Sequence, residues 1–208
     1  MAKQNPKKTG LTLTTSRIET LTDGIFAIAM TLLVLNLSFP DAAGAPTSIQ
    51  LNSLLIGQVH RFFNYFLSFM LLAIFWIAHH QQFHFIKRTD SRLLWINIFI
   101  LMAVALVPFS TDTAGDFRGT KTAEIFFASN LLVLGLLFLA NWAYATGNHR
   151  LVDPDLDEEA ITNGMRRNMV TPAVSVAVIV LSFFMPAWSM WLYLIVPILL
   201  AFRLFQHG

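Results

Sequence analysis

Histidines near the end of the second apolar segment are the side chains best suited to chemistry. His80 and His84 lie four residues apart, so a continuous helix would place both imidazoles on one face, where they could bind a metal ion. No carboxylate and no third histidine box follows them, which gives a membrane metalloenzyme little support. The pattern favours a buried polar network that contains Trp76 and one of two histidines, His79 or His80.

Charged side chains open the first apolar segment. Arg17 and Asp23 lie six residues apart, so they do not face each other on one helix. Charges at membrane depth are costly and are usually paired, which indicates partners on other helices. We therefore predict that Arg17, Asp23 and a histidine of the second segment, His79 by preference, hydrogen-bond to one another. The alternative is that both charges lie among the lipid headgroups without specific partners.

The third apolar segment adds polar groups of its own. Asn97 lies in its first half, and Pro108 is followed by Ser110 and Thr111. Proline lacks a backbone N–H, so the carbonyl four residues earlier loses its partner. Hydroxyl groups can satisfy such a carbonyl inside a membrane, and this is the role predicted for Ser110 and Thr111.

Several classes of chemistry are excluded. The chain has no cysteine, which removes disulfides, thiolate metal sites and cysteine nucleophiles. It has no Gly-x-Ser-x-Gly motif and no phosphate-binding loop. The formal net charge of +2 is too small to indicate a nucleic-acid partner. We therefore predict a protein that is not an enzyme and that holds no resident metal or cofactor.

Membrane-spanning helices must position these side chains. Of 208 residues, 55% are hydrophobic and 12% are charged, and that charged share is about half that of a soluble domain. A soluble bundle would need a polar outer face, which these long apolar segments do not leave. A spanning helix needs roughly 20 mainly apolar residues. Six segments approach that length: Ile18–Pro40, Leu54–Ala78, Leu93–Thr111, Thr122–Thr146, Met169–Met185 and Trp188–Phe205.

The sequence thus predicts an all-α integral membrane protein, with a polar tail over residues 1–16 and one six-helix domain over residues 17–208. Eleven Lys and Arg residues lie on the side of the two termini and three lie on the other side, so both termini are predicted to be cytoplasmic. Between the fourth and fifth segments, Asp157 and the two glutamates after it predict a capped helix start. An acidic cation site at this position is the alternative.

The first segment carries an apolar stripe. Ile28, Leu32 and Leu35 are spaced by four and three residues, which places them on one helical face with Thr31 at its border. By itself such a stripe is typical of packing against other helices or of contact with lipid.

The order of these motifs resembles the transmembrane-protein-175 family, which comprises the lysosomal potassium channel of animals and its prokaryotic relatives. The family pattern is Arg, three residues, Phe-Ser-Asp and an apolar helix. Arg17 and Asp23 keep that spacing, while Leu21 and Thr22 replace Phe and Ser. The resemblance covers about residues 17–111 and includes Phe75-Trp76, His79-His80, Asp90, Leu94-Trp95-Ile96-Asn97 and the run from Pro108 to Thr111. The last three segments match only in length and hydrophobicity.

The resemblance implies a potassium channel of a prokaryotic cell membrane, with modest selectivity for K⁺ over Na⁺. It also implies a homotetramer of six-helix subunits around a central pore that the first helix lines. The implied filter residues are Ile28, Thr31, Leu32 and Leu35. The implied structural polar network comprises Arg17, Thr22, Asp23, Trp76, His79, His80, Asn97 and Ser110. The expected partners are further copies of the chain, membrane lipid and permeant monovalent cations.

Two other functions remain open. A proton-coupled transporter could use Arg17, Asp23 and His79 as a relay, and a membrane enzyme could use the histidine cluster. A transporter would show saturation and alternating access, whereas a channel would show unitary currents. An enzyme of this kind would bind metal in stoichiometric amounts.

Overall fold

Long apolar segments with few helix-breaking residues determine the architecture. The computed structural model describes residues 14–38 and 47–204, with side chains up to residue 199, and its regular secondary structure is helical. The helices are α1 (Thr15–Leu32), α2 (Ser48–Gly57), α3 (Val59–Phe85), α4 (Ser91–Asp116), α5 (Lys121–Thr146), α6 (Glu158–Ser182), α7 (Pro186–Ser189) and α8 (Ile195–Leu204). Short 3-10 segments lie at Leu33–Asn36, Gly147–His149 and Met190–Leu194.

Four of the described segments are long and apolar enough to cross a membrane. They are Thr15–Asn36, Val59–Phe85, Ser91–Asp116 and Lys121–His149, in agreement with the first four predicted segments. The second predicted segment is divided, because the backbone leaves helical geometry at Gln58 and separates α2 from α3. Most of the predicted N-terminal tail, the predicted end of the first segment at Pro40 and the predicted end of the sixth at Phe205 lie outside the described residues.

The fifth and sixth predicted segments fold differently from expectation. Helix α6 begins at Glu158, well before the predicted apolar segment begins at Met169, and Asp157 caps it by accepting a hydrogen bond from the Glu159 backbone N–H at 3.1 Å. The predicted capped start is therefore confirmed. Pro186 begins α7, and the chain then passes through 3-10 geometry into α8. Neither α6 nor this broken helix meets the length and apolarity of a span within the described residues, so the six-span count stays a prediction.

Helices α5 and α6 approach each other very closely at two glycines. A Cβ added to Gly135 would lie 2.7 Å from Cδ of Pro172, and one added to Gly164 would lie 2.6 Å from the Trp142 ring. The indole of Trp142 also donates a hydrogen bond to the Ile161 carbonyl at 3.0 Å. These contacts join α6 to α5 through backbone proximity as well as through side-chain packing.

The hydrophobic core lies where the spanning helices meet. Phe26 of α1, Leu71 of α3, Val104 of α4 and Leu131 of α5 are all buried there, and Tyr193 packs among them from the last 3-10 segment. The buried hydroxyl of Tyr193 donates to Ser175 Oγ at 3.0 Å, which gives this large side chain a polar partner inside the core. The C-terminal part of the described chain therefore contributes to the same core as α1.

A second, smaller core joins two loops at one end of the helices, which we call the Ile86 end. An isolated antiparallel bridge pairs Ile86 with Val152, and the Lys87 backbone N–H donates to the Leu151 carbonyl at 2.9 Å. Asp90 caps α4 through the Leu93 backbone N–H at 2.9 Å. The two connections therefore lie at the same end, as the predicted arrangement of spans requires.

Candidate pore helix and buried polar network

Helix α1 presents two different faces. Its buried face consists of Ile18, Thr22, Phe26 and Ala29, and Leu33 continues it into the 3-10 segment. These residues recur at three- and four-residue intervals, so they form the stripe that packs on α3 and α4. The opposite face has no partner among the described residues of the single chain.

The predicted filter residues lie on this second, exposed face. The exposed fractions are 57% for Ile28, 42% for Leu32 and 70% for Leu35, and Thr31 is also exposed. The Thr31 hydroxyl donates to the Ile28 carbonyl of its own helix at 2.8 Å, which occupies its proton within α1. The stripe that the spacing predicted is therefore a continuous apolar surface open to another molecule.

A chain of buried hydrogen bonds holds the buried face of α1 to the rest of the protein. His79 Nε2 lies 3.5 Å from Thr22 Oγ1 and 2.9 Å from Asn97 Oδ1. Asn97 Nδ2 donates to Asn141 Oδ1 at 3.0 Å, and Asn141 Nδ2 donates to Gln82 Oε1 at 2.7 Å. Gln82 Nε2 completes the chain by donating to a backbone carbonyl of α5 at 3.1 Å. This network joins α1, α3, α4 and α5.

The partners fix the direction of the hydrogen bonds from His79 to Gln82. Asn97 Nδ2 faces two acceptors, since it donates to the Leu93 carbonyl at 2.9 Å as well as to Asn141. Its Oδ1 must therefore face His79, and His79 Nε2 must carry the proton that it donates. The network therefore runs from the imidazole of His79 through amides that all donate in the same direction along the chain of hydrogen bonds.

The charged residues at the start of α1 do not form the predicted cluster. Asp23 Oδ1 accepts a hydrogen bond from Trp76 Nε1 at 2.8 Å, while His79 bonds to Thr22 and Asn97. Among the described contacts, no hydrogen bond links Arg17 to either residue. The reason is geometric, because successive helical residues point about 100° apart. Thr22 faces the core, so Asp23 faces the exposed edge.

The structure distinguishes between the two candidate histidines. His79 is 2% exposed and its ring stacks on Phe83, with ring centres 4.3 Å apart. His80 is exposed, and its ring lies beside that of Trp76. The network histidine is therefore His79. Within the described residues no group of three or more His, Asp or Glu side chains could hold a metal ion.

A second polar cluster surrounds Pro108, which lies inside α4. The hydroxyls of Ser110 and Thr111 both donate to the Val107 carbonyl, at 3.0 and 2.8 Å. They do not reach the carbonyl of residue 104, for which they were predicted, because a helical hydroxyl reaches back only three or four residues. The side-chain amide of Asn130 on α5 lies 3.1 Å from Ser110 Oγ, within hydrogen-bond distance.

Three residues of these clusters were missed by sequence reasoning. Gln82, Asn130 and Asn141 are buried amides on α3 and α5. The available signal was their polarity, because an amide inside a membrane segment needs a hydrogen-bonding partner. Nothing in the local sequence says which partner each one takes, since Asn97 and Asn141 are 44 residues apart.

Comparisons with known proteins follow the same part of the chain. The family model for the endosomal/lysosomal potassium channel TMEM175 matches residues 17–108. A potassium channel of Streptomyces collinus is 34% identical over 148 residues, which cover 69% of this chain and 70% of the relative. A potassium channel of Chamaesiphon minutus is 30% identical over 181 residues, which cover 86% of this chain and 87% of the relative.

Solved structures show the same fold. The crystal structure of a lysosomal potassium-selective channel TMEM175 homolog from Chamaesiphon minutus matches with a TM-score of 0.79 and 26% identity, covering 91% of this chain and 97% of that one.

Sequence relatives from animals carry the name endosomal/lysosomal proton channel TMEM175. The human protein is 28% identical over 142 residues, and the match spans 28% of its length.

Proposed function

The chain belongs to the endosomal/lysosomal potassium channel TMEM175 family, and we propose that it conducts K⁺ passively through a pore lined by the α1 helices of a homotetramer. It is an ion channel homologue and not an enzyme, which removes the histidine-cluster enzyme from the alternatives. Its long apolar helices belong to an integral membrane protein.

The exposed face of α1 is the observation that supports this pore. A polar conduit through one subunit is not needed, because a cyclic oligomer creates an axis that each copy can line with one helix. Ile28, Leu32 and Leu35 form such a lining, and four copies would stack three apolar rings along the axis. Facing the axis would cover large side chains that the single chain leaves exposed.

The chemistry of this lining limits how ions can pass. A ring of Ile or Leu side chains offers no ligand to a dehydrated ion, so it closes by dewetting and passes a hydrated or partly hydrated ion when open. Selectivity for K⁺ over Na⁺ by this route should be modest. Thr31 borders the rings, but its proton is already donated within α1.

The buried network has a structural part in this proposal. His79 and Asn97 hold the buried face of α1 at Thr22, so that the opposite face is presented to the axis.

The same network argues against a proton-coupled transporter. Three of its five side chains are amides and one is the hydroxyl of Thr22, and none of these four has the titrating group that a proton relay needs. His79 is the single titratable member, and among the described hydrogen bonds none joins it to Arg17 or Asp23, which were to complete the relay.

The finer topology also belongs to this proposal. Six spans would require α6 and the broken helix from Pro186 onward to lie in the membrane with the four long helices. With both termini in the cytoplasm of a prokaryotic cell, the Ile86 end would be cytoplasmic and the Asn36 end external. The lysines and arginines near Ile86 agree with that orientation.

Planar-bilayer recording of the purified protein tests the function. With K⁺ on one side of the bilayer and Na⁺ on the other, the unitary currents should reverse at a potential whose sign shows that K⁺ is more permeant than Na⁺. A pH gradient in symmetrical K⁺ should leave the reversal potential unchanged. Currents that follow the pH gradient would identify a proton pathway, and saturating transport without unitary events would identify a carrier.

A further inference from the structure

Arg61 is a charge at an unexpected place, since it lies three residues into the apolar helix α3. Its side chain packs over Gly115 of α4, where a Cβ would lie 3.7 Å from Arg61 Cγ. Arg61 Nη2 forms an ion pair with Asp116, and Arg61 Nη1 donates to the Asn36 carbonyl at 3.2 Å. One guanidinium therefore joins α3, the end of α4 and the end of the pore helix.

The carbonyl that Arg61 holds belongs to the last residue of the pore helix. Asn36 ends the 3-10 segment that continues α1. The last carbonyls of a helix lack intrahelical partners, and a cation there also interacts favourably with the helix dipole. Asp116 ends α4, where a carboxylate is unfavourable unless it is paired. Arg61 thus satisfies both helix ends.

Asn36 is held from a second direction. Its side-chain Nδ2 donates to the Pro108 carbonyl of α4 at 2.9 Å, while its backbone carbonyl accepts from Arg61. The residue immediately before it is Leu35, the most exposed member of the apolar stripe. Contacts on both sides of Asn36 therefore determine where the Leu35 side chain lies.

We infer that Arg61 is a positioning residue for the pore, which fixes the Leu35 ring by holding the Asn36 carbonyl. Asp116 orients the guanidinium for this contact. The planar fork is needed, because two separate acceptors must be reached at once and a lysine ammonium has no such fork. This inference rests on the proposed function, in which α1 lines the pore.

The test compares reversal potentials under the K⁺/Na⁺ gradient with the stability of the oligomer in detergent. Arg61→Gln should shift the reversal potential toward zero, since a mobile Leu35 ring discriminates less between the ions. A charge exchange, Arg61→Asp with Asp116→Arg, should recover stability but not selectivity, because an aspartate cannot donate to the Asn36 carbonyl. Arg118→Gln is the matched control, since it removes an exposed positive charge at the same end of the helices.

Each outcome is decisive. If Arg61→Gln fails to assemble, Arg61→Lys keeps the charge and should shift the reversal potential in the same direction by a smaller amount. Three results would overturn this inference and leave the proposed function standing. They are wild-type selectivity in both Arg61 variants, restored selectivity in the charge exchange, and an equal shift of the reversal potential in Arg118→Gln. Absence of K⁺ current from the wild-type protein overturns the proposed function and this inference with it.

Discussion

Asn97 is the side chain on which the buried network depends, so its replacement gives a sharp prediction. In Asn97→Leu, a side chain of similar size leaves the His79 Nε2–H and Asn141 Oδ1 without their partner. An unsatisfied buried group costs about 1–3 kcal/mol in soluble proteins, whereas interhelical hydrogen bonds in a membrane protein average about 0.6 kcal/mol. We take about 1 kcal/mol for each of the two groups, which is the lower end of the range for soluble proteins and above the average for membrane proteins.

The predicted loss is therefore about 2 kcal/mol, which corresponds to a fall in Tm of roughly 4–8 °C for a chain of this length. Thermal unfolding of the purified protein in detergent measures it. The double variant with His79→Phe should lose less than the sum of the single changes, because the imidazole proton that Asn97 accepts is then absent. Asn168→Leu is the control, since no hydrogen bond of its side chain occurs among the described contacts. Additive losses, or an equal loss in the control, would refute the network.

Three further predictions test packing, electrostatics and topology. Gly135→Ala should destabilise the protein, because the added Cβ meets the proline ring of α6, whereas Gly57→Ala, with nothing within 4 Å, should be tolerated; equal Tm values would contradict this. Burial alone raises the pKa of Asp90, but hydrogen bonds from a backbone N–H and from the Tyr144 hydroxyl lower it below its ordinary value of 3.8. Asp90→Asn should thus be less stable than wild type near pH 7, and the difference should shrink as the pH falls below about 4; a difference that grows in acid would show the opposite sign. A single cysteine at Lys87 should be labelled only from the cytoplasm, and external labelling would reverse the topology.

The positions of the long helices could be predicted from the sequence because the signal is local. The apolar run predicted over Thr122–Thr146 matches α5, and the run predicted over Leu93–Thr111 lies inside α4. The start of α6 could not be found by hydrophobicity, because its first turns are polar. The break at Gln58 was also missed, since apolar residues continue on both sides of it.

The candidate site, like the fold, could be predicted from the sequence only where the signal is local. Spacing alone grouped Ile28, Leu32 and Leu35, because residues on one helical face share a period that the sequence displays. The choice of His79 over His80 needed the structure, since adjacent residues differ only in the direction they face. In the sequence Arg61 is only a charged residue near the start of an apolar segment, and its proposed role depends on two residues from outside α3.

The central claim is that the exposed face of α1 lines the pore, and two asparagine substitutions test it most directly. Ile28 is 57% exposed on that face, whereas Met30 is half-buried and packs against the core. Under a K⁺/Na⁺ gradient, Ile28→Asn should raise the conductance and shift the reversal potential toward zero, because a polar ring wets the constriction. Met30→Asn should lower stability or have little effect while leaving the reversal potential unchanged. A wild-type reversal potential in Ile28→Asn together with altered selectivity in Met30→Asn would contradict the assignment of the pore face.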